Sequence, residues 1–392
     1  MIISRLILEN WKNFQKIDVS LADRMFIVGA NASGKSNLLD SIRFLRDISK
    51  RGLQYAVVEQ RGGFSRIRCL AARQFPNITI EVHLSEKEGE EPIWKYKLML
   101  KPAEEKNLKN EARIVQEFVW DKTGKRILNR NNSNSNKEDE ETLKFTDLEQ
   151  IRSNKSFREI YHFFQETQYL HIVPQLLREA DSYVFSSNKE DFYGRNLLVK
   201  ISETTKQIRE RYFKKINDVL RIAVPQLEEL KFVKDDNTGL PHLEARYIHW
   251  RKLGAKQQEV QFSDGTLRLI GFMWALLDGK ETILMEEPEL YLHTEIVKQI
   301  ADFISKLQRK KGKENRQVIM TTHSYDLLDN QSIGANEVLI LENSQEGTIV
   351  KVVKDSADLV NYLDSGFSMA ETVIPKVAPK NISAIQQVKI WD

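Results

Sequence analysis

Cysteine is nearly absent from this 392-residue chain. With Cys69 alone, no internal disulfide can form. The amino terminus, MIISRLILENW, lacks the basic start and apolar run of a secretory leader, so a reducing cytoplasm is the expected setting. No stretch approaches the roughly 18 to 20 consecutive apolar residues of a membrane-spanning helix, which argues against a pore and a membrane partner. Charge of one sign is also missing. Fifty-nine basic and 56 acidic residues leave a net charge of +3, so any surface for nucleic acid must be local. There is no internal repeat, and no heptad run long enough for an extended coiled coil. What the chain does have is 41% hydrophobic residues, ample for a buried core in one large or two ordinary domains.

Short apolar runs at Ile2 to Glu9, Gln15 to Leu21 and Met25 to Val28 read as three strands, followed by a glycine loop that opens a helix near Lys35. Between Ile78 and Trp120 three more strand-like runs suggest an antiparallel addition beside the first element. Residues 129–141, NRNNSNSNKEDEE, are dominated by asparagine, serine and acid and read as a flexible loop. Ile201, Ile208, Tyr212, Ile216, Val219, Leu220 and Ala223 share one face of a single long helix over 195–223, which Pro225 ends. The last third alternates, with helices over Thr266 to Leu277 and Leu292 to Leu307 and strands over Thr282 to Met285, Gln317 to Met320 and Glu337 to Leu341. That alternation predicts an α/β fold with a largely parallel sheet covered by helices.

Four elements carry chemistry. Gly29, Gly34, Lys35 and Ser36 form G-x-x-x-x-G-K-S between a strand and a helix, the context of a phosphate-binding loop. Its backbone amides and positive helix end would face phosphates, Lys35 would reach the outer phosphates, and the Ser36 hydroxyl could ligate Mg²⁺. In ETILMEEPELYLH an apolar strand delivers Glu286 and Glu287 to its carboxyl end. In a phosphate-loop NTPase the first acid supports the metal and the second orients and deprotonates water; the bland alternative is an ordinary solvated acidic turn, a common way for a strand to end. QVIMTTHS is a further strand ending at His323, a residue that is structural in most settings but here could bond a γ-phosphate or the attacking water. Ser263, Asp264 and Gly265 lead straight into an apolar helix, a good cap by itself and also a second anion site. One domain with two anion sites needs a second copy to complete them.

In this order the four elements resemble the phosphate loop, signature, acidic strand and histidine switch of ABC-type ATPases. NWKNF, FSDGTLRL, EEPELYLH and TTHS are similar to the RecF, SMC and OLD-nuclease branch rather than to transporter ATPases. The resemblance covers residues 1–80 and 255–345, the expected ATPase head. It implies that Gly29, Asn31, Ser33, Gly34, Lys35, Ser36 and Asn37 of one subunit bind ATP and Mg²⁺, while Ser263 and Gly265 of the partner close over the γ-phosphate. It further implies Glu287 as catalytic base, Glu286 as metal support in place of the usual Asp, His323 as sensor, and Leu290 to His293 at the dimer seam. Gln175 is expected as the glutamine that couples the metal to an inserted lobe, and Trp11 to Phe14 near adenine or ribose.

The 226 residues between Ser36 and Ser263 exceed what a compact head needs. They are expected to form a strand-rich lobe over 81–150 and a helical insertion over 151–254, with 346–392 extending the head. Residues 195–221 carry eight basic and three acidic side chains, and 306–316 six basic and one acidic; each reads as a phosphate-backbone contact or as a solvated charged surface. The 69 residues after His323 are fewer than a Toprim nuclease domain needs, so no nuclease activity is expected in this chain. The resemblance instead implies a dimer of heads acting on a separate effector, such as a Toprim-like nuclease, as an ATP-driven switch in bacterial anti-phage defence. A RecF-like repair clamp on double-stranded DNA and a nucleotide-gated scaffold with little hydrolysis are the alternatives.

Overall fold

The computed structural model describes residues 1–72, 77–104, 110–132, 139–178, 193–248, 255–308 and 316–378. The chain divides into two compact units. The first comprises Met1–Gln168, Glu281–Leu284 and Lys313–Asp392, and the second Tyr169–Lys280 and Met285–Gly312.

The first unit holds two sheets. One is antiparallel and six-stranded, in the order Phe14–Ser20, Ile2–Trp11, Ile78–Ser85, Trp94–Pro102, Ala112–Asp121, Arg126–Asn131. Alternate residues such as Leu6, Leu8, Ile80, Val82, Tyr96 and Leu98 are buried, the period-2 pattern of a sheet with one face on the core. The other sheet runs Gly347–Val352, Val338–Ser344, Arg24–Gly29, Val318–Thr322, followed by Ile283 and Leu284 of the strand Ile283–Glu286. Its centre is parallel, Arg24–Gly29 pairing on either side with Val318–Thr322 and Val338–Ser344, and every residue of Arg24–Gly29 is buried. The helix Lys35–Arg51 buries Leu38, Leu39, Ile42, Leu45 and Ile48, a helical spacing that keeps one face inward.

In the second unit the apolar helix Asp264–Leu277 is central. Trp274 is 1% exposed and meets the rings of Tyr212 and Phe213 at centroid distances of 5.3 and 5.9 Å. Leu227–Lys234, Pro241–Tyr247 and Ala255–Gln258 form a three-stranded antiparallel sheet.

Several expectations are corrected. Residues 81–150 do not stand as their own lobe: their strands continue the sheet begun by Ile2–Trp11 and Phe14–Ser20, because the free edge of Ile2–Trp11 is open to Ile78–Ser85. Within 129–141, residues up to Asn131 finish the strand Arg126–Asn131, secured by the buried Arg130, which donates to the Phe145 and Thr142 carbonyls; residues 133–138 lie outside the described residues. The expected single helix over 195–223 is two helices, Leu197–Glu203 and Lys206–Ala223. Thr204 is extended and donates its hydroxyl to the Lys200 carbonyl, and paired β-branched residues with such back-bonding favour a break. The helix expected over Leu292 to Leu307 is Thr294–Val297 plus Ile300–Gln308. Residues 151–254 are not purely helical, since they contribute most of the three-stranded sheet. Of the basic run 306–316, residues 309–315 lie outside the described residues.

Candidate functional site

The phosphate loop leaves the strand Arg24–Gly29 and enters the helix Lys35–Arg51 at Gly34. Gly34 has φ +97, in the left-handed region, and a Cβ there would lie 2.0 Å from Asn13 Nδ2. Both conformation and space therefore demand glycine. Lys35 is 8% exposed and its ammonium donates to the carbonyls of Gly29 and Ala30 at 3.0 and 3.4 Å, inside the curl of the loop. Asn31 and Ser36 are exposed and Ser33 is buried. Asn37 donates its side-chain amide to Asn13 Oδ1 at 2.7 Å.

Asn13 is the hub beneath this loop. Its amide donates to the Ser33 carbonyl at 3.0 Å and to Thr348 Oγ1 at 2.6 Å, and its own carbonyl accepts from the Thr348 amide at 2.9 Å. Thr348 Oγ1 in turn donates to the Ser33 carbonyl at 2.8 Å. The turn between the first two strands thereby fastens the phosphate loop to the hairpin of Val338–Ser344 and Gly347–Val352. Trp11 and Phe14 are fully buried, which corrects the expectation that they approach a base: the Trp11 indole donates to the Asn37 carbonyl and its ring lies 5.1 Å from that of Phe44. Lys12 pairs with Asp40 of the phosphate-loop helix at 2.6 Å.

His323 follows Val318–Thr322, whose register sets Thr322 opposite Val28. The exposed His323 therefore leaves the sheet at the same end as Gly29.

The second unit holds the remaining residues. Ser263 is exposed and caps its helix, accepting from the Thr266 amide at 3.2 Å. Gly265 has no room for a side chain, since a Cβ would lie 2.6 Å from the Tyr291 carbonyl oxygen. Gln175, expected at a metal, donates its amide to Asp264 Oδ2 at 2.8 Å, and Arg178 pairs with the same carboxylate at 2.5 Å. Glu286 accepts a hydrogen bond from the Tyr169 hydroxyl, and His171 Nδ1 lies 3.9 Å from its other oxygen. Glu287 has φ +40 and Tyr291 φ +64, left-handed conformations that cost a non-glycine residue on the order of 1 to 2 kcal/mol each. Arg268, 2% exposed, donates to the Glu287 carbonyl at 2.9 Å.

The Ser36 hydroxyl in the first unit and the Glu286 carboxylate in the second are each hard oxygen donors of the kind Mg²⁺ takes. Among the described residues no group of three or more His, Cys, Asp and Glu gathers that could hold a metal ion. Sequence reasoning missed Tyr169, His171 and Arg268, and reached Asn13 only as part of the span Trp11 to Phe14. For Arg268 a signal was present, a lone charge inside an otherwise apolar helix; Tyr169 and His171 offered none.

Among the described residues no helix is long and apolar enough to cross a membrane. In fold, the chain is similar to an SMC head solved bound to the C-terminal winged-helix domain of ScpA, with TM-score 0.53 and 15% identity over 90% of this chain and 97% of that one. It is also similar to an SMC head with an extended coiled coil, bound to the C-terminal domain of ScpA derived from Pyrococcus furiosus, with TM-score 0.51 and 12% identity over 92% and 99%. No curated protein matches the chain. With residues 24–329 matched, the chain belongs to the family described as AAA domain, putative AbiEii toxin, Type IV TA system, and it has the fold of an ABC-type ATPase of the SMC-like branch.

Proposed function

We propose that this protein is an ATP-binding and ATP-hydrolysing switch whose head-to-tail dimerisation controls a separate effector, in the cytoplasm and in anti-phage defence. The observation that carries this reading is that the chain holds both a phosphate loop, with Lys35 buried in its curl, and an exposed Ser263 that leads through Gly265 into an apolar helix. The first suits one triphosphate and the second suits the exposed end of another. In this reading Lys35 and the loop amides hold the β- and γ-phosphates, Ser36 takes Mg²⁺ and Glu286 supports the metal's water shell. Bound Mg²⁺ supplies neutralisation of phosphate charge. Glu287 accepts the proton of the attacking water, His323 bonds the γ-phosphate, and Ser263 and Gly265 of a second copy cap it. The family description, with its putative toxin of a toxin–antitoxin system, supports a conflict-related role, and the SMC heads bound to ScpA support a separate protein partner.

Turnover of purified protein with ATP and Mg²⁺ tests the reading. It is expected to fall at least a hundredfold in Lys35→Ala, and a variant as active as the wild type contradicts it.

A duplex-clamp reading has one specific support. The groove between the helix Lys206–Ala223 and the strand Leu227–Lys234 is lined by Lys206, Arg209, Lys214, Arg221 and Lys231, interleaved with Glu210, Asp218 and Glu229. ATP-dependent duplex binding with a steep salt dependence would favour it over the effector switch.

A further inference from the structure

The buried length of the helix Asp264–Leu277 is apolar except at Thr266 and Arg268, and Arg268 alone carries a charge there. Burial lowers the pKa of this guanidinium, with the neighbouring charges of Glu289, Tyr291 and Glu287 acting in the opposite direction. A buried charge of this kind is a poor device for stability, because an apolar residue of similar volume commonly serves as well or better. Its contacts point elsewhere. It donates to the Glu287 carbonyl and lies over the Tyr291 ring at 5.6 Å, so it grips both left-handed residues of the turn Glu287 to Tyr291. One helical turn earlier, Gly265 presses against the Tyr291 carbonyl. Positions 265 and 268 share a helix face, so the turn that carries Glu287 is moulded on the helix that begins at Ser263.

We propose that Arg268 is a positioning residue that ties the placement of Glu287 to the state of the Ser263-Gly265 turn in the same subunit. This rests on the ATPase reading above. A second copy that engages Ser263 pushes on the amino-terminal end of the helix, and Arg268 passes that displacement to the backbone of Glu287. Nucleotide binding through Lys35 is independent of it, whereas the hydrolytic step is not. Each site then fires only when its own subunit's capping turn is engaged on the other.

The test compares Arg268→Met with Arg268→Lys and wild type, measuring kcat, the Kd of a fluorescent ATP analogue, and melting temperature. Arg268→Met is expected to lose about tenfold in kcat with Kd within twofold of wild type and no fall in melting temperature, and Arg268→Lys to recover part of the rate. Should Arg268→Met fail to fold, Tyr291→Leu asks the same question at a residue 62% exposed. It is expected to turn over severalfold more slowly while still forming an ATP-trapped dimer in the Glu287→Gln background. Undiminished kcat, or equal losses in rate and affinity, overturns the coupling. A wild type that hydrolyses ATP in a Lys35-dependent way but is insensitive at Arg268 removes only this inference; a wild type without turnover removes the ATPase reading itself.

Discussion

The side-chain amide of Asn13 donates to the backbone carbonyl of Ser33 at 3.0 Å, fastening a turn between two N-terminal strands to the phosphate loop. Because Thr348 and Asn37 bond the same asparagine, its loss frees three partners at once. Asn13→Ala is expected to weaken nucleotide binding about tenfold, since an unsatisfied part-buried network costs on the order of 1 to 2 kcal/mol. Titration with a fluorescent ATP analogue checks this, and an unchanged Kd would mean that the loop holds its shape without the clamp.

Under the phosphate-loop helix, Arg61 bonds Asp40 through Nη2 and Nε at 2.7 and 2.9 Å and reaches Asp47 at 2.9 Å. Burial by itself would raise Asp40, but the charge and hydrogen bonds of Arg61, aided by Lys12, outweigh it and hold the carboxyl well below the usual range. Arg61→Leu leaves Asp40 with Lys12 alone and Asp47 with only Arg43 and Arg46 at 3.9 and 3.7 Å, and is expected to cost about 3 kcal/mol in urea unfolding. Adding Asp40→Asn should recover part of that loss. If the single variant is as stable as the wild type, the cluster does not hold the helix.

Much of this was legible in the chain and some was not, for physical reasons. Alternation of apolar residues marked the strands between Ile78 and Trp120, and strand–loop–helix context marked Gly29 to Ser36. The strand Arg126–Asn131 was hidden because its single buried side chain is Arg130, so burial there depends on ion pairing rather than on apolar periodicity. The helix break at Thr204 and Thr205 left a continuous apolar stripe in sequence, because the stripe resumes in phase beyond it. The family resemblance implied a place near adenine or ribose for Trp11 to Phe14, and only the packing of Trp11 against Phe44 shows that ring to be core. Asn13, Ser33 and Thr348 are brought together across more than three hundred residues, which no local pattern records.

Glu117 is fully buried in the antiparallel sheet of the first unit, accepting from the Tyr96 hydroxyl at 3.0 Å and from the Asp147 and Leu148 amides at 2.8 and 3.0 Å. Burial pushes its carboxyl up to about 7, against the hydrogen bonds that favour the charged form. A raised folded-state pKa means its contribution is fully present below the ordinary carboxyl range and is lost as pH rises through about 7. Wild-type stability should therefore fall by on the order of 3 kcal/mol relative to Glu117→Gln between about pH 4.5 and 7.5. Denaturant unfolding of the pair across that range checks the sign, and parallel profiles would contradict it.

If one copy's Ser263-Gly265 turn closes the nucleotide held by another, the solution mass of Glu287→Gln with and without ATP and Mg²⁺ reports it. The mass is expected to double on adding ATP, and Ser263→Arg to abolish the doubling while the affinity for the nucleotide itself is kept. A mass that stays the same at saturating ATP, or a dimer indifferent to Ser263→Arg, would contradict it.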